Sequence, residues 1–169
     1  MTKTNKKGFT IIEVVLVLAI AGLIFLMVFI ALPALQRSQR NTRRRQDMAR
    51  ILSAFNDYAS NNNGKMPGSS NLTNFMNHYV GASGSDQRRD PDGKPYTIKY
   101  VGNIDGKTVK TGAYAVTDAK NPFDHIIYYY TTAACNNDVE GAVKKGNGDR
   151  EIAIFYYLEG GAIYCGDNS

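Results

Sequence analysis

Glu13 is the side chain whose chemistry fits its surroundings least. It opens a run of 22 residues without charge, Val14 to Leu35. A carboxylate at membrane depth costs roughly 2.5–3.5 kcal/mol on insertion scales, so one kept there calls for a cation to meet it. Other groups capable of chemistry are sparse. His78 and His125 stand far apart, each without a second histidine or a cysteine at metal-ligand spacing, and ordinary surface or strand positions are expected for both. Asp118, Asp124 and the pair Asp90/Asp92 could give oxygens to calcium, but no alternating donor run like an EF-hand loop is present. Lys145-Gly146-Asn147-Gly148-Asp149 lacks the spacing of a phosphate loop. Asn71-Leu72-Thr73 is a formal glycosylation sequon. No enzyme, cofactor or resident metal is expected. Cys135 and Cys165 are the only cysteines. They are either free thiols or a disulfide, which the chain-entropy model rates at roughly 3–4 kcal/mol.

The element that must carry Glu13 is a helix. Val14 to Leu35 is long enough to cross a bilayer core, which takes about 20 apolar residues. A secretory signal peptide would pair a basic start with a shorter apolar run and a small-residue cleavage site. Lys3, Lys6 and Lys7 supply the basic start, but the run is too long, opens on a carboxylate and ends without an Ala-x-Ala pattern. A plain membrane anchor would leave Glu13 without a role.

The string KKGFTIIEVVLVLAIAGLI resembles the prepilin signature of type IV pilins and pseudopilins. The resemblance implies that a membrane peptidase cuts after Gly8 and methylates Phe9, which becomes the first mature residue, with Glu13 the fifth. Glu13 would then neutralise the amino group of Phe9 on an adjacent subunit. It also implies that the segment between the helix breakers Gly22 and Pro33 loses helical order in a filament, where residue chemistry alone gives a mild kink. The implied partners are other copies of the chain and minor pilins, the prepilin peptidase, the assembly machinery and the cytoplasmic membrane. The implied route runs from a membrane-held precursor to an extracellular pilus on the bacterial surface.

Four segments follow: a leader (1–8), a transmembrane or filament-core helix (9–35), an amphipathic Arg-rich continuation (36–65) and an extracellular α+β head (66–169). The net charge of +5 belongs to the leader and stem. Residues 66–169 hold ten Lys and Arg against twelve Asp and Glu, so bulk charge gives no support for nucleic-acid binding by the head. Arg37, Arg40, Arg43, Arg44, Arg45 and Arg50 are expected either on a solvated helix face or against lipid headgroups. By charge tally this end would face the cytoplasm; the resemblance implies the reverse, because cleavage requires the leader there.

Met48, Ile51, Leu52, Phe55, Tyr58 and Ala59 follow the rhythm of one helical face. Asn61-Asn62-Asn63-Gly64 and then Pro67 predict the helix end. Ser70 is expected to cap a short helix whose Leu72, Phe75, Met76 and Tyr79 share a face. Asp90-Pro91-Asp92-Gly93-Lys94-Pro95-Tyr96 predicts a tight turn, and is similar to the D-P-x-G-x-P-Y turn of major pseudopilins. Strands are expected at Tyr96–Val101, Gly112–Thr117, His125–Thr132, Glu151–Leu158 and Ala162–Cys165, the last two joined at Gly160-Gly161. One face of Glu151–Leu158 should cover the stem. The other, with Phe155 and Tyr157, should bring rings toward solvent or a neighbour. Tyr128-Tyr129-Tyr130 should place phenols on both strand faces, as half-buried tyrosines or as an adhesive surface. The pattern predicts an α+β fold, a long N-terminal helix packed against a small antiparallel sheet. The resemblance implies a type IV pilus subunit serving adhesion, twitching motility or DNA uptake. The alternatives are a pseudopilin of a type II secretion or competence system, or a solitary membrane-anchored binding domain. Pilins commonly carry a C-terminal disulfide loop, which the resemblance places at Cys135 and Cys165.

Overall fold

The computed structural model describes residues 8–81, 89–103, 109–110, 125–138 and 142–169. The leader residues 1–7, the strand expected at Gly112–Thr117, and Asp118 and Asp124 lie outside the described residues. The chain forms two compact units, Met1–Gln39 and Arg40–Ser169.

Thr10 starts the first helix, α1 (Ile11–Asn61). Its hydroxyl accepts the Glu13 N–H at 3.4 Å. The spacing Thr10-x-x-Glu13 is that of a capping box, and a carboxylate in the first turn suits the positive end of the helix dipole. α1 passes through Gly22 and Pro33 without interruption. Proline removes one backbone donor there, but the remaining hydrogen bonds of a long helix hold the segment. At the other end, the Asn62 amide donates to the Tyr58 carbonyl at 2.8 Å and the Gly64 N–H to that of Ala59 at 2.7 Å. Asn63 and Gly64 stand at φ 55° and 79°, the left-handed exit that this residue pair predicts.

In the second unit, α1 lays Met48, Ile51, Phe55 and Tyr58 against one face of a four-stranded sheet. Its strands are β1 (Thr97–Asn103), β3 (Ile126–Thr131), β6 (Ile152–Tyr157) and β7 (Ile163–Asp167), adjacent in that order. β3, β6 and β7 are antiparallel neighbours, while β1 runs parallel to β3. The sheet is therefore mixed, within the expected α+β class. Parallel neighbours need a crossover of a dozen or more residues, and residues 104–125 supply that length. Ile152, Ile154, Tyr156 and Leu158 all face α1, as their alternation predicts. Each fully buried aliphatic or aromatic side chain of this kind contributes roughly 1.5–3 kcal/mol.

The opposite face is covered, contrary to expectation. β4 (Ala133–Asn136), β5 (Ala142–Lys145) and the short β2 (Val109–Lys110) form a second sheet in the order β2-β5-β4. Ala133 and Val143 from it pack with Tyr128, Tyr130, Ala153 and Phe155. Phe155 is therefore 2% exposed, and the three tyrosines lie between 0% and 7%. Tyr157 is only partly exposed and packs against the same cluster. These rings are core, not adhesive surface. Thr132, at φ 56°, breaks the expected strand His125–Thr132 and turns the chain into β4.

The connection from α1 to the sheet is a 3-10 turn (Ser69–Asn71), a short helix α2 (Leu72–Phe75) and a π-helical turn (Met76–Val80). Ser70 lies inside the 3-10 turn and caps nothing; the two flanking caps, Gly68 and Asn71, make no side-chain capping bond. The predicted face holds: Phe75 is buried, with Leu72, Met76 and Tyr79 packed around the same core. Phe75 stacks on Phe55 at 4.2 Å between ring centres and meets Tyr58 edge-on at 5.6 Å.

Candidate functional site

Each unit contributes one candidate. In the first, Gly8 has open space where a Cβ would stand, and Phe9 is 85% exposed. Glu13 sits in the first turn of α1, and the apolar side chains from Val14 to Leu35 surround the helix with little cover. This is the one helix among the described residues long and apolar enough to cross a membrane. Gly22 likewise has no neighbour that a side chain would meet. The geometry is a helix whose apolar surface is complete except for one carboxylate near its start.

The second candidate is a buried ion cluster in the head. The Asp90–Tyr96 turn closes with the Gly93 N–H on the Asp90 carbonyl at 2.8 Å, and Gly93 takes φ 92°. The turn directs the Asp90 carboxylate at α1, where Arg44 receives it bidentately: Nε to Oδ2 at 2.6 Å and Nη2 to Oδ1 at 2.7 Å. Tyr156 Oη donates to Asp90 Oδ2 at 2.8 Å, and the Asp92 N–H to Oδ1 at 3.1 Å. Arg44 Nη1 also reaches Glu159, which Arg40 grips through both of its oxygens at 2.7 and 2.6 Å. Asn41 completes the joint: its amide donates to the Glu159 carbonyl at 3.0 Å and accepts the Glu159 N–H at 3.1 Å. One stretch of helix thereby holds both the Asp90 turn and the tip of the β6–β7 hairpin.

Arg44 is 4% exposed, so the arginine run is not uniformly a solvated face. Burial works against ionisation of Asp90, but the Arg44 guanidinium, the Asp92 N–H and the Tyr156 hydroxyl outweigh it and hold the pKa at about 2. Hydrogen bonds from Arg40, opposed by partial burial and reinforced by Arg44, bring Glu159 to about 2 as well. Burial first, then the neighbouring carboxylate, pushes the Tyr156 phenol well above its ordinary range. Tyr96, whose hydroxyl donates to Asp47 Oδ2 at 3.1 Å, is raised by burial in the same way.

A pH dependence follows from these two carboxylates. Both are depressed in the folded state, so their contribution is complete above the unfolded carboxylate range and is lost as pH falls through the folded values. The urea midpoint of the full chain in detergent is expected to fall between about pH 5 and pH 2. The Asp90 share is on the order of 2 kcal/mol. A midpoint unchanged between about pH 6 and pH 3 would contradict the cluster.

His125 is not at a surface position but directly precedes β3, at the start of the expected strand. It is buried, at φ 57°, with Nε2 3.1 Å from Asp92 Oδ2 and Nδ1 3.8 Å from Asp90 Oδ2. Asp90, Asp92 and His125 thus gather three metal-ligating groups. They do not make a cation cage. The two ring nitrogens address different carboxylates, and both Asp90 oxygens already bind a guanidinium that would repel a metal. Cys135 and Cys165 form a disulfide with Cα atoms 6.0 Å apart, joining β4 of the small sheet to β7 of the large one. Asp167 Oδ2 accepts the Cys135 N–H at 2.6 Å beside it.

Residues 3–29 match the family model of the prokaryotic N-terminal methylation motif. No curated protein and no solved structure matches the chain.

Proposed function

We propose that this chain, which carries the type IV prepilin and pseudopilin signature, is the structural subunit of a type IV pilus filament. The precursor is held in the cytoplasmic membrane by its apolar helix. Removal of residues 1–8 leaves methylated Phe9 at the front of that helix, and released subunits bundle their helices as a filament core with the heads outside. The observation that carries this reading is the uncovered apolar helix with Glu13 in its first turn, inside the matched motif. An apolar surface of that extent needs lipid or other copies around it. The chain's partners are then its own copies and minor pilins, the peptidase and the assembly machinery; no catalytic role is assigned to it.

The Asp90–Tyr96 turn favours a second reading, a pseudopilin of a secretion or DNA-uptake machine, through its likeness to the D-P-x-G-x-P-Y turn. Gly8→Glu is the test that separates both from a solitary anchored domain. The variant is expected to stay uncut in the membrane and to yield no filament, because the peptidase meets a bulky charged side chain at the scissile bond. Normal activity of the uncut form would leave only the anchored domain. Cells whose processed wild-type subunit forms no long surface filament would favour the pseudopilin.

A further inference from the structure

We propose that the cleft at the C-terminal end of α1 binds a sugar that carries a carboxylate. The cleft has a volume of about 560 Å³ and is lined by Asn63, Gly64, Tyr100, Thr132 and Arg150, among others. An adjoining cleft of about 450 Å³ shares Asn63, Gly64 and Arg150 and is closed by Asn56 and Asn168, whose amides bond each other at 2.7 Å. Both volumes fall in the range of small-ligand sites, about 300–1,000 Å³.

Three observations set this cleft apart from an ordinary surface hollow. Thr132, at φ 56°, is a β-branched residue in left-handed conformation, and such outliers gather at functional sites. Glycine would take that backbone without strain, yet the position keeps a side chain with a hydroxyl. Gly64, at φ 79° and without a side chain, lets the exposed Arg150 guanidinium lie close over its backbone. That guanidinium has no carboxylate or other acceptor among the described residues. Tyr100 is held in place, its hydroxyl 3.4 Å from Thr131 Oγ1 and its ring centre 5.2 Å from that of Tyr129.

The chemistry of the lining selects the ligand. An unspent guanidinium presents a planar fork that a carboxylate meets bidentately. The Asn63 amide and the Thr132 hydroxyl both donate and accept, which suits ring hydroxyls. A fixed tyrosine offers an amphipathic surface to the less polar face of a sugar at little entropic cost. Nucleic acid would call for a track of cations, whereas the charges lining this cleft are two cations, Lys65 and Arg150, and the anion Asp149.

The full chain, purified in detergent, reports on this site before any assembly, so the result does not depend on the filament proposal. Titrations with N-acetylneuraminic acid and galacturonic acid would be read by ligand-observed NMR, against galactose, inorganic phosphate and oligothymidylate. An acidic sugar is expected to bind about tenfold tighter than galactose, and Arg150→Ala to weaken it by about tenfold or more. Thr132→Gly, which relieves the backbone, is expected to raise the melting temperature while weakening the acidic sugar. No saturable binding of either acidic sugar would overturn the proposal. So would binding retained in Arg150→Ala, or phosphate or oligothymidylate binding as well as the acidic sugars.

Discussion

Glu13→Ala is expected to leave the subunit inserted and cleaved but to reduce sheared filament yield by about a hundredfold or more. Removing a carboxylate from the mouth of an apolar helix makes membrane residence easier, so precursor level should hold or rise. Assembly is another matter. When apolar helices gather, an unpaired ion among them is costly, while a close pair between Glu13 and the Phe9 amine of a neighbour offsets much of that cost. The pair also sets axial register, because a helix entering at the wrong height leaves both ions unmatched. The capping box gives the carboxylate a further, local role, since the Thr10 hydroxyl and a first-turn acid both stabilise the helix start. Glu13→Gln separates the two: it retains hydrogen-bonding capacity at the cap while losing the charge. Loss of filaments in Gln as in Ala would assign the effect to the ion pair. Normal yield from Glu13→Ala would place the register elsewhere.

The second large effect is expected in the head. Arg44→Met should destabilise it by about 3–5 kcal/mol, the usual cost of breaking a buried ion pair from one side. Total domain stability is about 5–15 kcal/mol, so much of the folded population is at stake. The variant leaves Asp90, 2% exposed, with the Tyr156 hydroxyl, the Asp92 N–H and His125 at 3.8 Å but no guanidinium. Arg40→Met should cost far less, because Arg40 is 36% exposed and Glu159 keeps Arg44. The double variant Arg44→Met, Asp90→Leu should recover most of the loss, since apolar replacement of both partners removes the uncompensated charge. Thermal melts of the three variants would show this as a deep drop, a small one and a near return. Equal melting temperatures for Arg44→Met and the parent would exclude the cluster as a structural joint.

Parts of this joint were legible in the sequence and parts were not. Arg44 stands four residues before Met48 and seven before Ile51, so it shares the apolar stripe of the stem. That placement alone marks it as an arginine facing the core, though six arginines in a row of fourteen residues read more naturally as a solvated face. Its partners come from 46 and 115 positions further along, and no local pattern announces such pairs. The Asp90 turn was evident from Pro91 and Gly93, but its purpose was not, because a turn's chemistry says nothing about what its first side chain will meet. β6 was plain from strict alternation. β4 and β5 leave no pattern to read, because Ala-Ala-Cys-Asn and Ala-Val-Lys-Lys carry little β-branched or aromatic signal. With them went the cover over Phe155 and the tyrosines. The capping box was present as Thr10-x-x-Glu13 and was overshadowed by the membrane cost of the same carboxylate.

The most direct measurement is N-terminal peptide mass spectrometry of the main protein in sheared surface filaments. The expected result is a chain that begins at methylated Phe9 and lacks Met1 to Gly8. An intact Met1 in assembled filaments would contradict cleavage-dependent assembly, and with it the function proposed for this chain.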